Sequence, residues 1–143
     1  RRDPWLTFLE TITDRQSPMN RQALAQIYVE QEVKEMTAFR AASARRRGES
    51  PGAEGGVGKV FNAELNQQRS NFAMNAAGAA AIAWTRGDTV AEGRAHAFLR
   101  ARGYTIEGGS SEVLRNQIGE RILGLPRDPE VDKGVPWKDI RRS

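Results

Sequence analysis

The sequence of 143 residues contains no cysteine, which excludes disulfides, thiolate metal sites and cysteine nucleophiles. Histidine occurs once, at His96, so a site with several histidine ligands is also excluded. No apolar run is long enough to span a membrane, and residues 1–5 lack the apolar core of a secretory signal. We therefore predict no metal site and no membrane span, and we take the cytoplasm as the expected location. Because the sequence does not begin with methionine, we expect a segment of a longer protein.

Charge and composition are those of one basic domain. Lys and Arg number 22 against 18 Asp and Glu, a net charge of +4, and hydrophobic residues make up 38% of the chain. A chain of this length can fold as a single domain that buries about two-thirds of its unfolded surface. The positive charge permits nucleic acid or the phosphates of a cofactor as partners. Because the basic residues are scattered among acidic ones, we predict no nucleic-acid partner.

Apolar periodicity and turn residues predict helices and connectors throughout, with no alternating pattern that would indicate a strand. The predicted helices span residues 4–12, 20–47, 57–84, 91–102 and 110–124, the last starting at Ser110 or Ser111. We predict an all-α, up-down helical bundle of four to five helices over residues 1–125. An extended tail is predicted over residues 126–143.

Two of the predicted helices carry informative apolar surfaces. The second has one stripe at Leu24 and Ile27 and another side at Val33 and Met36. A helix that is apolar on two sides is expected to pack against more than one neighbour. The third helix is rich in alanine over residues 73–83, and small side chains allow close helix packing, so we expect this half to lie deep in a bundle.

Two motifs that could bind phosphate have simpler structural interpretations. Segment 54–59 has three glycines and a lysine, but a phosphate loop would need Gly in place of Ala53 and Ser or Thr in place of Val60. We interpret it as the entry to a helix. The arginine run 45–47 closes the second helix, where cations complement the helix dipole. Contact with phosphates of a cofactor or nucleic acid is the alternative, although no aromatic residues interleave with the run.

The clearest functional pattern lies in residues 105–126. Glu107 stands immediately before two glycines and two serines, and a helix follows that ends near Gly124 and Pro126. Glycines allow a close approach of backbone to a ligand, and Ser110 can cap the following helix. Anionic or hydroxyl-rich ligands bind readily at such a helix N-terminus. From spacing alone, a capped helix start with Glu107 as an incidental surface acid remains an open alternative.

Residues 97–126 resemble the C-terminal signature of the acyl-CoA dehydrogenase family, which commonly reads G-T/S-S-E-I-x-R-N-x-I-A-E-R-x-L-G-L-P. Upstream, segment 54–59 is similar to the G-x-E-G-S-x-x-K segment of bacterial members, and residues 135–139 look like their tail. The resemblance implies the C-terminal helical domain of a bacterial enzyme that uses FAD. Members oxidise an acyl-CoA thioester to the trans-2-enoyl-CoA: a carboxylate removes the α-proton while a hydride passes to the flavin.

The resemblance also implies roles for individual residues. Glu107 is the candidate catalytic base, because the family often carries the base as the Glu of a Y-E-G-T motif. Aligned without gaps on Arg115, however, Gly108 occupies that position and Glu107 precedes it by one. The base could therefore lie on an earlier helix outside this chain. The residues implied to contact the adenosine and pyrophosphate end of FAD are Gly108, Gly109, Ser110 and Glu112. Of these, Glu112 would accept hydrogen bonds from ribose hydroxyls, and Ser110 with nearby N–H groups would bind phosphate.

The partners implied by the resemblance are an acyl-CoA substrate with a fatty, branched or steroid acyl group, an electron-transfer partner and further subunits. We expect a homo- or heterotetramer formed through segment 73–83 and the terminal helix. The family's N-terminal helical domain and middle β-domain hold most of the isoalloxazine and much of the acyl-CoA. Both are absent here, so we expect no turnover by this chain alone. The alternatives are a non-catalytic subunit that completes a flavin site, a basic nucleic-acid-binding module and a purely structural bundle.

Overall fold

A computed structural model describes residues 4–10, 12, 14–49, 54–127 and 134–140. Across these ranges the chain forms helices and turns, without a β-strand, and none of the helices is long and apolar enough to cross a membrane. The α-helices are α1 (Pro4–Glu10), α2 (Pro18–Arg46), α3 (Glu54–Ala77), α4 (Thr89–Gly103) and α5 (Ser111–Arg121), and two short 3-10 helices lie at Gly78–Ala81 and Trp137–Asp139. The predicted all-α, up-down bundle is confirmed.

Helix α3 is the centre of the bundle, because α2, α4 and α5 all pack against it. Its buried residues Val60, Ala63 and Leu65 point to different sides of the helix, and each is nearly inaccessible to solvent. Among the residues that the structure describes, Ile27 of α2 is the largest fully buried side chain. At the end of the bundle that holds α1, a smaller apolar cluster forms, with Ile12, Leu24 and Ala73 buried and Trp5, Phe8, Leu9, Phe72 and Ala76 packed against them.

Helix α2 begins two residues before the predicted start, with Pro18 in its first turn, where the missing N–H of proline costs no intrahelical bond. Leu24 and Ile27 are buried as predicted, whereas Val33 and Met36 on the second side are exposed in this chain. The arginine run ends the helix, and Arg47 pairs with Glu49 at 2.7 Å. This pairing agrees with the structural interpretation of the run.

The predicted third helix, over residues 57–84, is wrong at its C-terminal end. Gly78 adopts a left-handed conformation with φ of +55°, and such a residue ends an α-helix. The chain continues as the 3-10 turn Gly78–Ala81 and then as a loop. Ala73 and Ala81 are buried, but Ala79 and Ala80 are exposed, so only part of the alanine-rich segment lies deep within this chain.

Helices α4 and α5 begin at side-chain caps. The Asp88 carboxylate accepts a hydrogen bond from the Ala91 N–H at 3.0 Å, so α4 starts two residues before the predicted position. Ser110 caps α5, as predicted. Helix α5 ends at Arg121, and Gly124 then adopts φ of +67°, which is the left-handed conformation expected after a helix. Beyond it, the described part of the tail contains a 3-10 turn at Trp137–Asp139.

Candidate functional site

Residues 104–110 form a tight turn between α4 and α5. The N–H of Glu107 donates to the Gly103 carbonyl at 2.9 Å, and the N–H of Ser111 donates to the Thr105 carbonyl at 2.9 Å. Gly108 and Gly109 have φ values of +64° and +98°. Residues that carry a Cβ rarely adopt such positive φ values. The two glycines are therefore required by the shape of this turn.

Ser110 and Glu112 organise the N-terminus of α5. The Glu112 carboxylate accepts hydrogen bonds from its own N–H and from the Ser110 hydroxyl, and these bonds hold the pKa of Glu112 below its ordinary value. The nearby charges of Arg115 and Lys59 act in the same direction. An ionised carboxylate at this position also interacts favourably with the positive end of the helix dipole. In this chain, Glu112 therefore takes part in capping its own helix.

Lys59 connects the turn to the start of α3. Its ammonium group donates a hydrogen bond of 2.6 Å to the carbonyl oxygen of Gly109, fifty residues away in sequence. The lysine belongs to segment 54–59, which the sequence predicted as a helix entry and which is similar to a separate segment of bacterial family members. The structure thus brings together two segments on which the family resemblance depends. That resemblance was the sequence signal for this contact.

Glu107 forms an ion pair with Arg100 on the preceding helix. One guanidinium nitrogen of Arg100 lies 2.8 Å and 2.7 Å from the two carboxylate oxygens. This bond raises the pKa of Arg100, and the guanidinium also lies over the Tyr104 ring, 4.5 Å from its centroid. The Glu107 side chain is 48% exposed. In this chain, the candidate base is a paired and half-exposed carboxylate.

A shallow pocket of about 430 Å³ lies beside the turn. Its lining residues come from α3 and the turn: Lys59, Asn62, Ala63, Tyr104, Glu107 and Gly108. A catalytic base must come within hydrogen-bond reach of the proton it removes, in a site that excludes water. For Glu107 to act in this way, its pair with Arg100 must open and another part of the protein must cover the pocket.

The structure places the other candidate groups away from this turn. His96 is exposed on α4 and lines a separate cavity between α3 and α4. The arginine run 45–47 is exposed at the end of α2. Among the residues that the structure describes, no three carboxylate or imidazole groups are close enough together to hold a metal ion.

The chain matches the acyl-CoA dehydrogenase C-terminal domain over residues 7–123. It is similar to the acyl-CoA dehydrogenase IpdE1 of Mycolicibacterium smegmatis, with 39% identity over 80 residues, which are 56% of this chain and 20% of that protein. It is also similar to the acyl-CoA dehydrogenase FadE34 of Mycobacterium tuberculosis, with 33% identity over 56% of this chain and 10% of that protein. The chain therefore spans a fifth or less of the length of these relatives.

Two solved structures share the fold of this chain. The Tcur3481-Tcur3483 steroid ACAD shares the fold with a TM-score of 0.72 at 23% identity, over 87% of this chain and 34% of that chain. A chain of the ChsE4-ChsE5 complex from Mycobacterium tuberculosis matches with a TM-score of 0.68 at 30% identity, over 79% of this chain and 30% of that one. With these likenesses and the match over residues 7–123, the chain belongs to the acyl-CoA dehydrogenase family, as its C-terminal domain.

Proposed function

We propose that this chain is the C-terminal helical domain of an FAD-dependent acyl-CoA dehydrogenase and contacts the adenosine and pyrophosphate end of FAD. The whole enzyme would convert an acyl-CoA thioester to the trans-2-enoyl-CoA. The observation that carries the proposal is the left-handed Gly108–Gly109 turn at the N-terminus of α5, with Lys59 bound to its carbonyl. Bound FAD would accept the hydride that leaves the substrate.

The groups around the turn fit a cofactor with phosphate and ribose. Within the described ranges, nothing accepts a hydrogen bond from the N–H of Gly109 or Ser110, and successive free N–H groups of this kind bind anions. Lys59 adds a positive charge beside them. The Ser111 hydroxyl is buried and has no partner in the described part of the chain. The free N–H groups and Lys59 would bind phosphate, and the remaining acceptor capacity of Glu112 suits ribose hydroxyls.

Glu107 is the base that this chain could contribute. Its carboxylate lines the pocket beside the turn, and it would remove the α-proton of the thioester once the pair with Arg100 opens. Until then, the carboxylate stays paired with Arg100. A second candidate function, a subunit that completes a flavin site without catalysing, is favoured by the half-exposed ion pair of Glu107. In that case, another polypeptide would provide the base.

The proposal includes further subunits and a cytoplasmic location. Both solved neighbours carry the names of two polypeptides, which supports a heteromeric assembly. The loop that follows α3 exposes Ile82 and Trp84, so segment 73–83 and this loop are the proposed interface, together with the terminal helix. One neighbour is described as a steroid ACAD, and thioesters with a steroid side chain are therefore the first substrates to test. Electrons would leave through a separate electron-transfer partner.

The catalytic part is tested by anaerobic titration of the full-length protein, purified with any second subunit it requires. Acyl-CoAs with fatty, branched and steroid acyl groups are added, and bleaching of the flavin absorbance is followed. Glu107→Gln removes the candidate base, and Glu49→Gln removes a carboxylate that is paired with an arginine in the same way but lies at the end of α2. Loss of bleaching in Glu107→Gln alone supports Glu107 as the base. Equal bleaching in all three proteins would show that the base lies in another segment or subunit.

The cofactor part is tested with two glycine substitutions that impose similar backbone strain. Gly109→Ala places a Cβ at φ of +98°, and Gly87→Ala does so at φ of +95° in the turn before α4. Such strain costs about 1–2 kcal/mol at either position. We expect Gly109→Ala to be purified with much less FAD than Gly87→Ala or wild type. Full FAD content in Gly109→Ala would show that this turn does not hold the cofactor.

A further inference from the structure

A second cavity, of about 520 Å³, lies between α1, α3 and α4, and Tyr104 lines both this cavity and the pocket beside the glycine turn. Its walls are mostly apolar and include Phe8, Ala73, Val90 and Ala97. Its charged lining consists of Arg69, Arg94 and Arg100, and no carboxylate from the described part of the chain lines it. An apolar chamber with cations and no counter-ion is suited to an anion that carries an apolar group.

Arg94 is a buried cation of this cavity whose Nε has no partner among the described residues. It is only 9% exposed, and its Nε is buried without a hydrogen-bond partner. None of the residues that the structure describes forms an ion pair or hydrogen bond with its guanidinium. A buried cation that has lost or lacks its counter-ion destabilises a fold. A fold that retains such a residue is expected to provide it with an anion.

Arg94 differs from exposed arginines that have no partner among the described residues, such as Arg45 and Arg86, because its side chain is buried. Other arginines of the bundle do have partners. Arg115 pairs with Glu64, Arg100 pairs with Glu107, and Arg102 donates to the Phe98 carbonyl at 2.8 Å. Arg94 therefore does not follow a general shortage of acceptors in this chain.

Arg69 adds a second positive charge to the cavity. It projects from α3 and lies over the Phe8 ring, 4.5 Å from the centroid. Partial burial lowers its pKa, and its only hydrogen bond within the described residues, to Gln31, is 3.5 Å long. Arg100 is already neutralised by Glu107. The uncompensated charge in the cavity thus comes from Arg94 and Arg69.

The chemistry of the lining favours a carboxylate over a phosphate. A guanidinium group binds a carboxylate with two parallel hydrogen bonds. Arg94 supplies one buried positive charge without a partner in the described part of the chain. A carboxylate balances that charge, whereas a phosphate monoester carries about two negative charges. The apolar walls would hold a hydrocarbon stem.

We propose that the cavity between α1, α3 and α4 is a binding site for a carboxylate on a short apolar stem, held by Arg94 and assisted by Arg69. The carboxylate has two possible sources, a free organic acid or an acidic side chain that another part of the intact assembly inserts. Both present the same group to Arg94, and experiment distinguishes them.

The first experiment uses the intact, full-length assembly with butyrate as the probe and butyramide as its neutral counterpart. Binding is measured by calorimetry for wild type, Arg94→Met and Arg86→Met, where Arg86 is an exposed arginine in the turn before α4. For a free acid, butyrate binds wild type and butyramide does not. The dissociation constant then rises at least tenfold in Arg94→Met and stays within twofold of wild type in Arg86→Met.

The second experiment tests whether an acidic side chain from another part of the assembly occupies the site. In that case butyrate does not bind, because the site is already occupied. Here the thermal stability and subunit dissociation constant of Arg94→Met are compared with those of wild type and Arg86→Met. Methionine in place of an arginine that has no partner should stabilise the protein. Methionine in place of an arginine bound to a carboxylate should destabilise it, and Arg94→Lys should recover part of the loss.

The two experiments distinguish a free acid from an inserted acidic side chain. Butyrate binding that depends on Arg94 supports a free acid, and destabilisation of the assembly by Arg94→Met without butyrate binding supports an inserted side chain. If Arg94→Met does not fold, Arg69→Met is compared with Arg86→Met in the same two measurements. No butyrate binding, together with a variant that is as stable as wild type or more stable, overturns the proposal.

Discussion

Replacing Lys59 by methionine should loosen the glycine turn, because its ammonium group is bound to the Gly109 carbonyl at 2.6 Å. A hydrogen bond to a charged donor contributes about 1.5–3 kcal/mol when protected from water. The bond from Lys59 to Gly109 is partly solvated, so we take its contribution to the stability of the turn as about 1 kcal/mol. That value corresponds to roughly a fivefold change in an equilibrium constant. Methionine keeps most of the apolar stem and removes only the charge and its donors.

Amide hydrogen exchange on the full-length protein measures this effect without relying on any ligand. The reporters are the N–H groups of Glu107 and Ser111, whose bonds to the Gly103 and Thr105 carbonyls close the turn. We expect their protection to fall about fivefold in Lys59→Met, the equivalent of about 1 kcal/mol. If FAD binds at this turn, its dissociation constant should also rise, because Lys59→Met removes a positive charge beside the proposed phosphate donors. The more frequent opening by itself would change the dissociation constant little while the turn stays mostly closed.

The matched control is Lys34→Met. Lys34 also lies at the α2–α3 contact, but its ammonium group is 3.4 Å from the Asn62 side-chain oxygen, beyond the usual range for such bonds. Both variants lose one positive charge from neighbouring positions. Equal exchange rates in Lys59→Met and Lys34→Met would refute the role of the 2.6 Å bond and would leave only a general charge effect.

Three further substitutions test the core, a helix cap and a charge. Leu65 is 2% exposed, so Leu65→Ala should lower the free energy of unfolding by about 2–5 kcal/mol, whereas Leu65→Met should cost less than about 1.5 kcal/mol; similar losses in denaturant unfolding would contradict this. Asp88→Ala removes the acceptor for the Ala91 N–H and should cost about 1 kcal/mol, while Asp88→Asn keeps the cap and should nearly preserve the melting temperature. The pKa of Glu112 is held below its ordinary 4.5, so its stabilising effect is complete above that value and is lost as the pH falls through the lower folded value. As the pH is lowered, the melting temperature of Glu112→Gln should therefore fall less than that of wild type. The same fall in both proteins would argue against the capping role of Glu112.

The sequence predicted the parts of the fold that depend on local chemistry. The cap at Ser110 and the left-handed Gly124 can be recognised without knowing what surrounds them. The predicted C-terminal end of α3 was wrong because the alanine-rich pattern continues past Gly78, where the helix ends. A glycine within a run of alanines gives no local sign that it will adopt a left-handed φ.

The remaining features of the site depend on contacts between distant segments. The bond from Lys59 to Gly109 joins residues fifty positions apart, and no local rule places them together. The burial of Arg94 is similar, because an arginine on a helix is usually exposed. Only the packing of α4 against α3 shows that this side chain lies within the bundle.

The central position of α3 has a thermodynamic consequence. Helices α2, α4 and α5 each pack mainly on α3, with little contact between one another. Effects of substitutions at sites that do not touch are additive within about 0.3–0.5 kcal/mol, whereas contacting residues couple more strongly. Changes on α2 and α5 should therefore combine additively in double mutants, and changes on α3 should couple to each of its neighbours. Sequence drift in the outer helices can then proceed nearly independently, while α3 is constrained by all of them at once.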